Sequence, residues 1–405
     1  MCADWNNLNA TPKYNRLGDT ILRPTELGYY DLLDPDVRRR QGELARQYGV
    51  DGFIFHHYWF YHMLLGPTLS GPLDKMLEDG YPDIPFALNW AQETWTNTWS
   101  GKFKYDSDIF ENPQVLIMQN HPRQNNSRMI VEHYQYLRKF FHHKNYIKVN
   151  GCPLFTIYGH NNMQKHIVLV REALRTLAME DGFPSPGLHI PAFIPMVNHM
   201  LYQFPLGKKN HANFNMGKVN KPHNDAVMFY PLILNAKRPI ELPLGCMDNV
   251  PKGLRIWPWK ERIPKPTYVG VMTTYDNSPR RDILTAKIGN RKHFPVELGG
   301  APKSFQYDVV EALVYDMCCQ SPKMRDVGGK FMVINAWNEW GEGMVLEPSN
   351  VHGRAMLEAV RDAKAAAGEI GCDGQKLMAF REKNKYMNYT VSESDNDIGD
   401  PKKID

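Results

Sequence analysis

Seven short apolar runs recur along the chain, each bounded by turn residues: Gly52–Phe60, Pro85–Trp90, Pro153–Tyr158, Leu188–Pro195, Ala226–Leu232, Thr267–Met272 and Phe331–Trp337. Short, mostly uncharged runs of this kind suit strands buried on both faces. Several are separated by segments of helical period. The segment Asp34–Gly49 opens with an Asp cap followed by Pro35 and closes on glycine, and Ser127–His143 places Ile130, Tyr134, Leu137 and Phe141 at three- and four-residue steps. The stretches His166–Gly182, Phe305–Gln320 and His352–Gly368 are similarly amphipathic. Strands alternating with helices predict an α/β fold with a parallel sheet, and this many units favour a (β/α)8 TIM-type barrel over an open doubly wound sheet. The count is seven strands, not eight, and no convincing strand precedes the first helix. Either the first strand is irregular in sequence or the chain lacks it, and the second is the expectation carried forward. Residues 198–225 and 233–266 are long for βα loops. Residues 1–368 are read as the barrel domain, and 369–405 as a polar, disordered tail.

Composition narrows the partners. The 48 basic and 44 acidic residues nearly balance, with no long Lys/Arg block, so nucleic acid is not expected as a partner. No stretch approaches the roughly 18 apolar residues needed to cross a bilayer. The first residues lack the basic and apolar regions of a signal peptide, and compartment stays open. Cys2, Cys152, Cys246, Cys318, Cys319 and Cys372 show neither metal-ligand spacing nor a disulfide framework. The tripeptides starting at Asn9, Asn125 and Asn388 fit the glycosylation pattern, which also arises often by chance. Neither a phosphate-binding glycine-lysine loop nor a dinucleotide glycine fingerprint follows a strand, so no cofactor is implied. The nine Trp and twenty Tyr exceed what packing alone usually calls for, and aromatic-rich clefts commonly hold carbohydrate.

In a parallel barrel the active site lies beyond the C-terminal ends of the strands. The first run ends in His56, His57, Tyr58 and Trp59; the second in Asn89, Trp90, Gln92, Glu93, Trp95 and Trp99; the third in Tyr158 and His160. The run from Thr267 leads into Tyr275, Asp276, Asn277 and Arg280. The last run breaks into Trp337-Asn338-Glu339-Trp340-Gly341-Glu342-Gly343. Polar and aromatic residues thus gather at one end of five strands, as a cleft for a polyhydroxylated ligand requires. Glu339 and Glu342 are the candidate acid and base, with the Trp337 and Trp340 rings available to stack on a sugar face. His56, His57, Tyr58, Trp59, Asn89, Trp90, Glu93, Trp95, Tyr158, Tyr275, Asp276 and Asn338 are the further candidates for substrate contact. Each also has a plainer reading. His56 and His57 alternate in facing, so one is expected to point away, and they have no metal-binding company. Trp95 and Trp99 also suit a packing pair, Glu93 also suits an ion pair with Arg280, and Asp276–Pro279 is a good turn signal in its own right. Glu347, before Pro348, reads as structural rather than catalytic.

Four segments resemble the WbsX-type family: Leu44–Phe60, Pro85–Trp95, Tyr275–Arg280 and Asn335–Pro348. That family is related to the endo-α-mannosidases of glycoside hydrolase family 99. The resemblance runs in order from about Asn7 to Ala363. It implies carbohydrate chemistry and, from the related hydrolases, a (β/α)8 barrel. In those relatives the first glutamate of the Asn-Glu-Trp-x-Glu-Gly motif removes the proton of the sugar 2-hydroxyl, which attacks its own anomeric carbon to give a 1,2-anhydro sugar. The second protonates the leaving oxygen and then activates water. Glu339 and Glu342 fill these positions. The outcome is retention without an enzyme-bound sugar, unlike the usual scheme in which one carboxylate is the nucleophile. Two departures stand out. Gln92 replaces the usual asparagine, and the chain enters with Ala3-Asp-Trp-Asn6 near the point where relatives carry a Phe-Thr-Glu-Trp segment after their first strand.

Three functions are therefore expected in order: a retaining glycoside hydrolase on an oligo- or polysaccharide; a glycosyltransferase in polysaccharide or lipopolysaccharide biosynthesis, although no Asp-x-Asp motif lies near a strand end; and a lectin-like module without turnover.

Overall fold

The computed structural model describes residues 3–61, 66–97, 114–158, 165–197, 225, 227–232, 247–249, 267–281, 286, 288–289, 300–318 and 331–384. All seven apolar runs contain a strand: β1 (Phe53–Phe60), β2 (Phe86–Ala91), β3 (Phe155–Tyr158), β4 (Ala192–Val197), β5 (Val227–Leu232), β6 (Thr267–Met272) and β7 (Met332–Asn335). The five helix-period segments become α2 (Pro35–Gln47), α4 (Arg128–Phe141), α5 (Lys165–Glu180), α6 (Gly300–Cys318) and α7 (Ala355–Ile370). Three further helices lacked a strong periodic signal: α1 (Ala3–Ala10), α3 (Gly71–Asp79) and α8 (Gly374–Lys383). The local chemistry of α2 is as expected. The Asp34 side chain accepts from the Asp36 N–H, and Pro35 sits in the first turn, where it sacrifices no helical hydrogen bond.

The fold is mixed α/β. β1, β2 and β3 pair in parallel, with Phe53 opposite Phe86 and Leu88 opposite Phe155. β4, β5, β6 and β7 form a second parallel set, with Val227 opposite both Ala192 and Thr267, and Val269 opposite Met332. The two sets meet just before β3 and β4, where Phe155 N–H donates to His189 O (3.0 Å) and His189 N–H donates to Pro153 O (2.9 Å). Strand order in space therefore follows strand order in sequence, as is usual for consecutive elements. Among the described residues no ladder joins β7 to β1. The sheet still curls: Ile54 of β1 packs in one cluster with Met228 of β5, Tyr268 of β6, Val333 of β7 and the adjoining Phe331.

Two large cores back this sheet. One packs α4 and α5 (Ile130, Leu137, Phe141, Leu174) against Leu88 and Phe155 of β2 and β3. The other packs α6 and α7 (Phe305, Val309, Leu357, Val360) against Val269 and Val271 of β6. Each fully buried side chain of this size contributes about 1.5–3 kcal/mol. Among the described residues no helix is long and apolar enough to cross a membrane.

Two expectations are corrected. Residues 369–384 are structured: Asp373 caps α8, Leu377 is buried, and Arg381 pairs with the fully buried Glu311 at 2.7 Å. A polar composition concealed an anchored helix, and residues 385–405 lie outside the described set. Cys318, read with the other cysteines as outside any disulfide framework, is buried and disulfide-bonded to Cys372, 54 residues away, tying the end of α6 to the turn after α7.

Candidate active site

β7 delivers the acid-bearing loop, and the chain turns through the short helical segment Trp340–Glu342 immediately beyond it. Arg280, on the turn after β6, reaches both acids. Its Nη2 donates to Glu339 Oε1 at 2.8 Å and its Nη1 donates to Glu342 Oε1 at 2.8 Å. One planar guanidinium therefore bridges the pair, each carboxylate taking one arm of the fork. A third acid completes the cluster: Asp4 of α1 accepts from Arg280 Nε (3.1 Å) and from Nη2 (3.0 Å).

These contacts set the electrostatics. Burial pushes Glu339 up; Arg280 opposes this, while Glu342 and Asp4 add to it, and the balance lies at about 7. Burial also raises Glu342, against the charge and hydrogen bond of Arg280. Burial disfavours the charged guanidinium, but the Glu339, Asp4 and Glu342 charges outweigh it, so Arg280 stays firmly cationic. Two carboxyls sharing a site, both raised towards neutrality, suit one proton held between them.

The loop carrying the acids is held by Glu347. This carboxylate, 2% exposed, accepts from Gln41 Nε2 (2.7 Å), Tyr30 OH (2.8 Å), Trp337 Nε1 (2.9 Å) and Trp340 Nε1 (3.0 Å). Asn338 Nδ2 then donates to the Tyr30 hydroxyl at 2.9 Å. Glu347 is thus structural, as expected, and it positions both motif indoles.

That role changes the reading of the tryptophans. Trp340 is 3% exposed in a core with Trp5, Leu8, Ile21 and Leu22, and Trp337 packs on Phe53 with ring centroids 4.9 Å apart. Trp340 is committed to packing and to Glu347 and leaves no face for a sugar, whereas Trp337 makes the same kinds of contact but stays partly exposed. Four other candidates also turn away from the cleft. His57, 1% exposed, meets His133 at 3.0 Å, and Trp59 lies buried with its ring stacked on His133. Trp90 is fully buried and donates to Trp59 O. Asp276 is buried, accepting from Asn15 Nδ2 and from the Ser278 hydroxyl, so its turn reading prevails. Period-two alternation explains His57 and Trp59, which share the outward face of β1.

The residues gathered around the acid pair are His56, Tyr58, Asn89, Tyr158 and Tyr275. Tyr58 is raised to about 12 by burial and by the Glu339 charge, and Tyr158 to about 12 by burial and then by Glu93, Glu342 and Glu339. Both phenols are neutral donors at ordinary pH. Tyr275 is raised by burial and then by Glu342. His56 remains solvent-accessible, yet the enclosing protein and the Arg280 charge lower its pKa, leaving a neutral imidazole. Asn89 anchors it, with Nδ2 3.2 Å from His56 Nδ1 and Oδ1 accepting from Thr156 Oγ1 at 2.8 Å. Trp95 packs edge-on against Tyr58 at 5.1 Å, and Glu93 is exposed near Tyr158. Gln92 is buried and donates to Tyr158 O at 3.2 Å, so the departure from asparagine serves the wall. Trp99 and His160 lie outside the described residues.

Sequence reasoning missed Asp4 and the joint role of Arg280. The available signal was that Ala3-Asp-Trp-Asn6 enters near the point where relatives carry a Phe-Thr-Glu-Trp segment. Gly341 was given no role of its own. A Cβ there would lie 2.5 Å from Arg280 Nε and 2.8 Å from Asp4 Oδ1, so the bare backbone makes room for the clamp. Gly341→Ala is expected to push the guanidinium off the acids and lower turnover by about 10²-fold, as misplacements near 1 Å do. Steady-state kinetics beside an unchanged circular dichroism spectrum checks this.

Comparison with known proteins follows the same lines. Two curated relatives, both "Uncharacterized protein WxcX" from strains of Xanthomonas campestris pv. campestris, are 26% identical over 382 residues, covering 91% of this chain and 47% of each relative. The chain spans about half the length of these relatives. Among solved structures, a "Glycoside hydrolase-like protein" superposes with a TM-score of 0.49 at 15% identity, over 85% of this chain and 89% of that one. The glycoside hydrolase family 99 endo-α-mannosidase from Bacteroides thetaiotaomicron gives 0.47 at 13% identity, over 86% and 84%. The family model for "Glycosyltransferase WbsX" matches residues 2–360, a span containing the acid pair, Arg280 and Asp4. The chain belongs to the WbsX glycosyltransferase family, a family of carbohydrate-active enzymes.

Proposed function

We propose that this chain is a retaining glycoside hydrolase built on a (β/α)8-type barrel, with Glu339 and Glu342 as the catalytic groups. The observation that carries this reading is the acid pair itself: two carboxyls, both raised by burial, close enough for one guanidinium to bridge, on the loop beyond a parallel strand. A hydrolase needs a proton donor and a proton acceptor in one cleft, and such a pair supplies both. By its place in the motif Glu339 is the base that takes the sugar 2-hydroxyl proton. The oxygen so freed attacks the anomeric carbon, and Glu342 protonates the leaving oxygen. Glu342 then takes a proton from water as it opens the anhydro ring, and Glu339 returns its proton to the 2-oxygen. Tyr58, Tyr158, His56 and Asn89 are assigned to sugar hydroxyls, with Tyr275 near Glu342 and the remaining described candidates supporting the walls.

The family description favours a second reading, a glycosyltransferase in polysaccharide assembly. One assay separates the two. The protein is incubated with α-mannosides and other α-linked glycans, with and without nucleotide-sugar or lipid-linked donors. Release of reducing sugar without donor is expected. Turnover only with donor would replace the hydrolase by the transferase, and saturable binding without turnover would replace both by a sugar-binding module.

A further inference from the structure

The acid pair explains two of the three carboxylates on Arg280. The third is supplied from the opposite end of the chain, and its placement is built rather than incidental. Helix α1 is seated on the acid loop through Trp5, whose indole N–H donates to Tyr30 O at 2.8 Å and whose ring lies 6.2 Å from that of Trp340. Leu8 is fully buried beneath it, and Arg23 secures the helix end by donating to Leu8 O (2.7 Å) and Thr11 O (2.8 Å). From this fixed helix Asp4 engages the Nε and Nη2 side of Arg280, leaving Nη1 to Glu342 and sharing Nη2 with Glu339. Gly341 passes between them without a side chain, so the two partners close tightly on the loop backbone.

We propose that Asp4 and Arg280 form a positioning pair: Asp4 orients the guanidinium so that one arm faces each glutamate, and it withholds part of the positive charge from them. The inference rests on the acid-pair reading and adds to it. Arg280 favours the ionised form of both carboxylates, against the burial that raises them. Asp4 makes the cluster one of three carboxyls around one cation and adds to burial in favouring a proton on the glutamate pair. The other charged and titratable groups facing the pair are Arg281, His56, Tyr58, Tyr158, Tyr275 and, beside Tyr158, Glu93. The tyrosines and His56 are neutral around pH 7, so Arg280 and Arg281 are the cations facing the pair.

The two members act with opposite sign, which separates a positioning pair from a merely structural contact. The full chain, labelled with 13C at glutamate side-chain carboxyls, is titrated by NMR, with Glu339→Gln and Glu342→Gln identifying the two signals. Asp4→Asn keeps the shape and removes the charge, so the glutamate midpoints are expected to fall, by about one pH unit, the shift that one nearby charge produces. Arg280→Gln removes the cation, and the midpoints are expected to rise by a similar amount. Thermal melts establish that each variant is folded, and Arg280→Lys, which keeps the charge but loses the fork, supplies a second reading if Arg280→Gln does not fold. With lysine the separation between the two midpoints is expected to change, because one ammonium cannot face both acids equally. Midpoints unmoved by Asp4→Asn, or moved in the same direction by Asp4→Asn and Arg280→Gln, would overturn the proposal. The titration needs no substrate. Opposite shifts without any glycan turnover would therefore remove the enzymatic reading alone, and turnover dependent on Glu342 with unmoved midpoints would remove the positioning pair alone.

Discussion

Replacing Glu342 by Gln is expected to lower turnover of an unactivated glycoside by about 10²–10⁴-fold, the range typical for loss of a general acid. The amide retains the shape and a hydrogen-bonding oxygen for Arg280 but carries no transferable proton. Leaving-group chemistry sharpens the expectation. A substrate with an acidic phenol as leaving group needs little protonation, so its bond cleavage should be largely spared in Glu342→Gln. The loss should then appear in the water-dependent step, where the same residue acts as base. The pH profile changes in a stated direction. With both acids present, the profile is bell-shaped, its limbs set by the two coupled ionisations of the pair. Since the Glu342 charge is one cause of the raised Glu339 pKa, its removal should move the rising limb to lower pH and abolish the falling limb. An unimpaired Glu342→Gln variant with an unchanged bell-shaped profile would refute the assignment.

Glu347→Ala is expected to give the largest loss of stability among single substitutions near the site. Four donors converge on this carboxylate: Gln41, Tyr30, Trp337 and Trp340. Each buried donor left without an acceptor costs about 1–3 kcal/mol, and water entering the vacated space recovers part of it, so a net loss on the order of 4 kcal/mol is expected. Denaturation midpoints in urea measure it. The pH dependence gives an independent check. Burial raises the Glu347 pKa to about 7 although its four donors favour the ionised form. The folded state thus binds a proton more tightly than the unfolded state, whose glutamate titrates near 4.3. The resulting stabilisation is fully present below that unfolded value and is lost as pH rises through about 7. Wild type should therefore lose stability across this window more steeply than Glu347→Ala. Equal slopes would show that Glu347 is ionised throughout and that the donors, not burial, dominate.

The seven strands were legible because a strand buried on both faces admits few polar residues, and β1, β2 and β6 each begin within one residue of their apolar run. The acid pair was legible for a related reason: two glutamates beside glycines, just past such a strand, have few packing explanations. The neighbours of that pair were less accessible. Alternation along β1 implied that one of His56 and His57 turns away, but not which, since that depends on which face of the sheet is covered by helix. His57 is the one sealed, by His133 of α4. The burial of Trp340 was not legible because an aromatic beside an acid looks the same in sequence whether it faces a sugar or donates its N–H to a buried carboxylate.

Sequence by itself determined the alternation of strands and helices, the end of the sheet where chemistry gathers, and Glu339 and Glu342 as its candidates. These follow from local rules, because side-chain period and turn chemistry operate over a few residues. Tertiary structure alone decided that Arg280 bridges the acids, that Asp4, 276 residues away, shares that arginine, and that Gln41, 306 residues from Glu347, helps hold the loop. Such meetings depend on parallel register and on how helices seat against the curled sheet. No periodicity along a chain encodes which distant backbone will stand opposite.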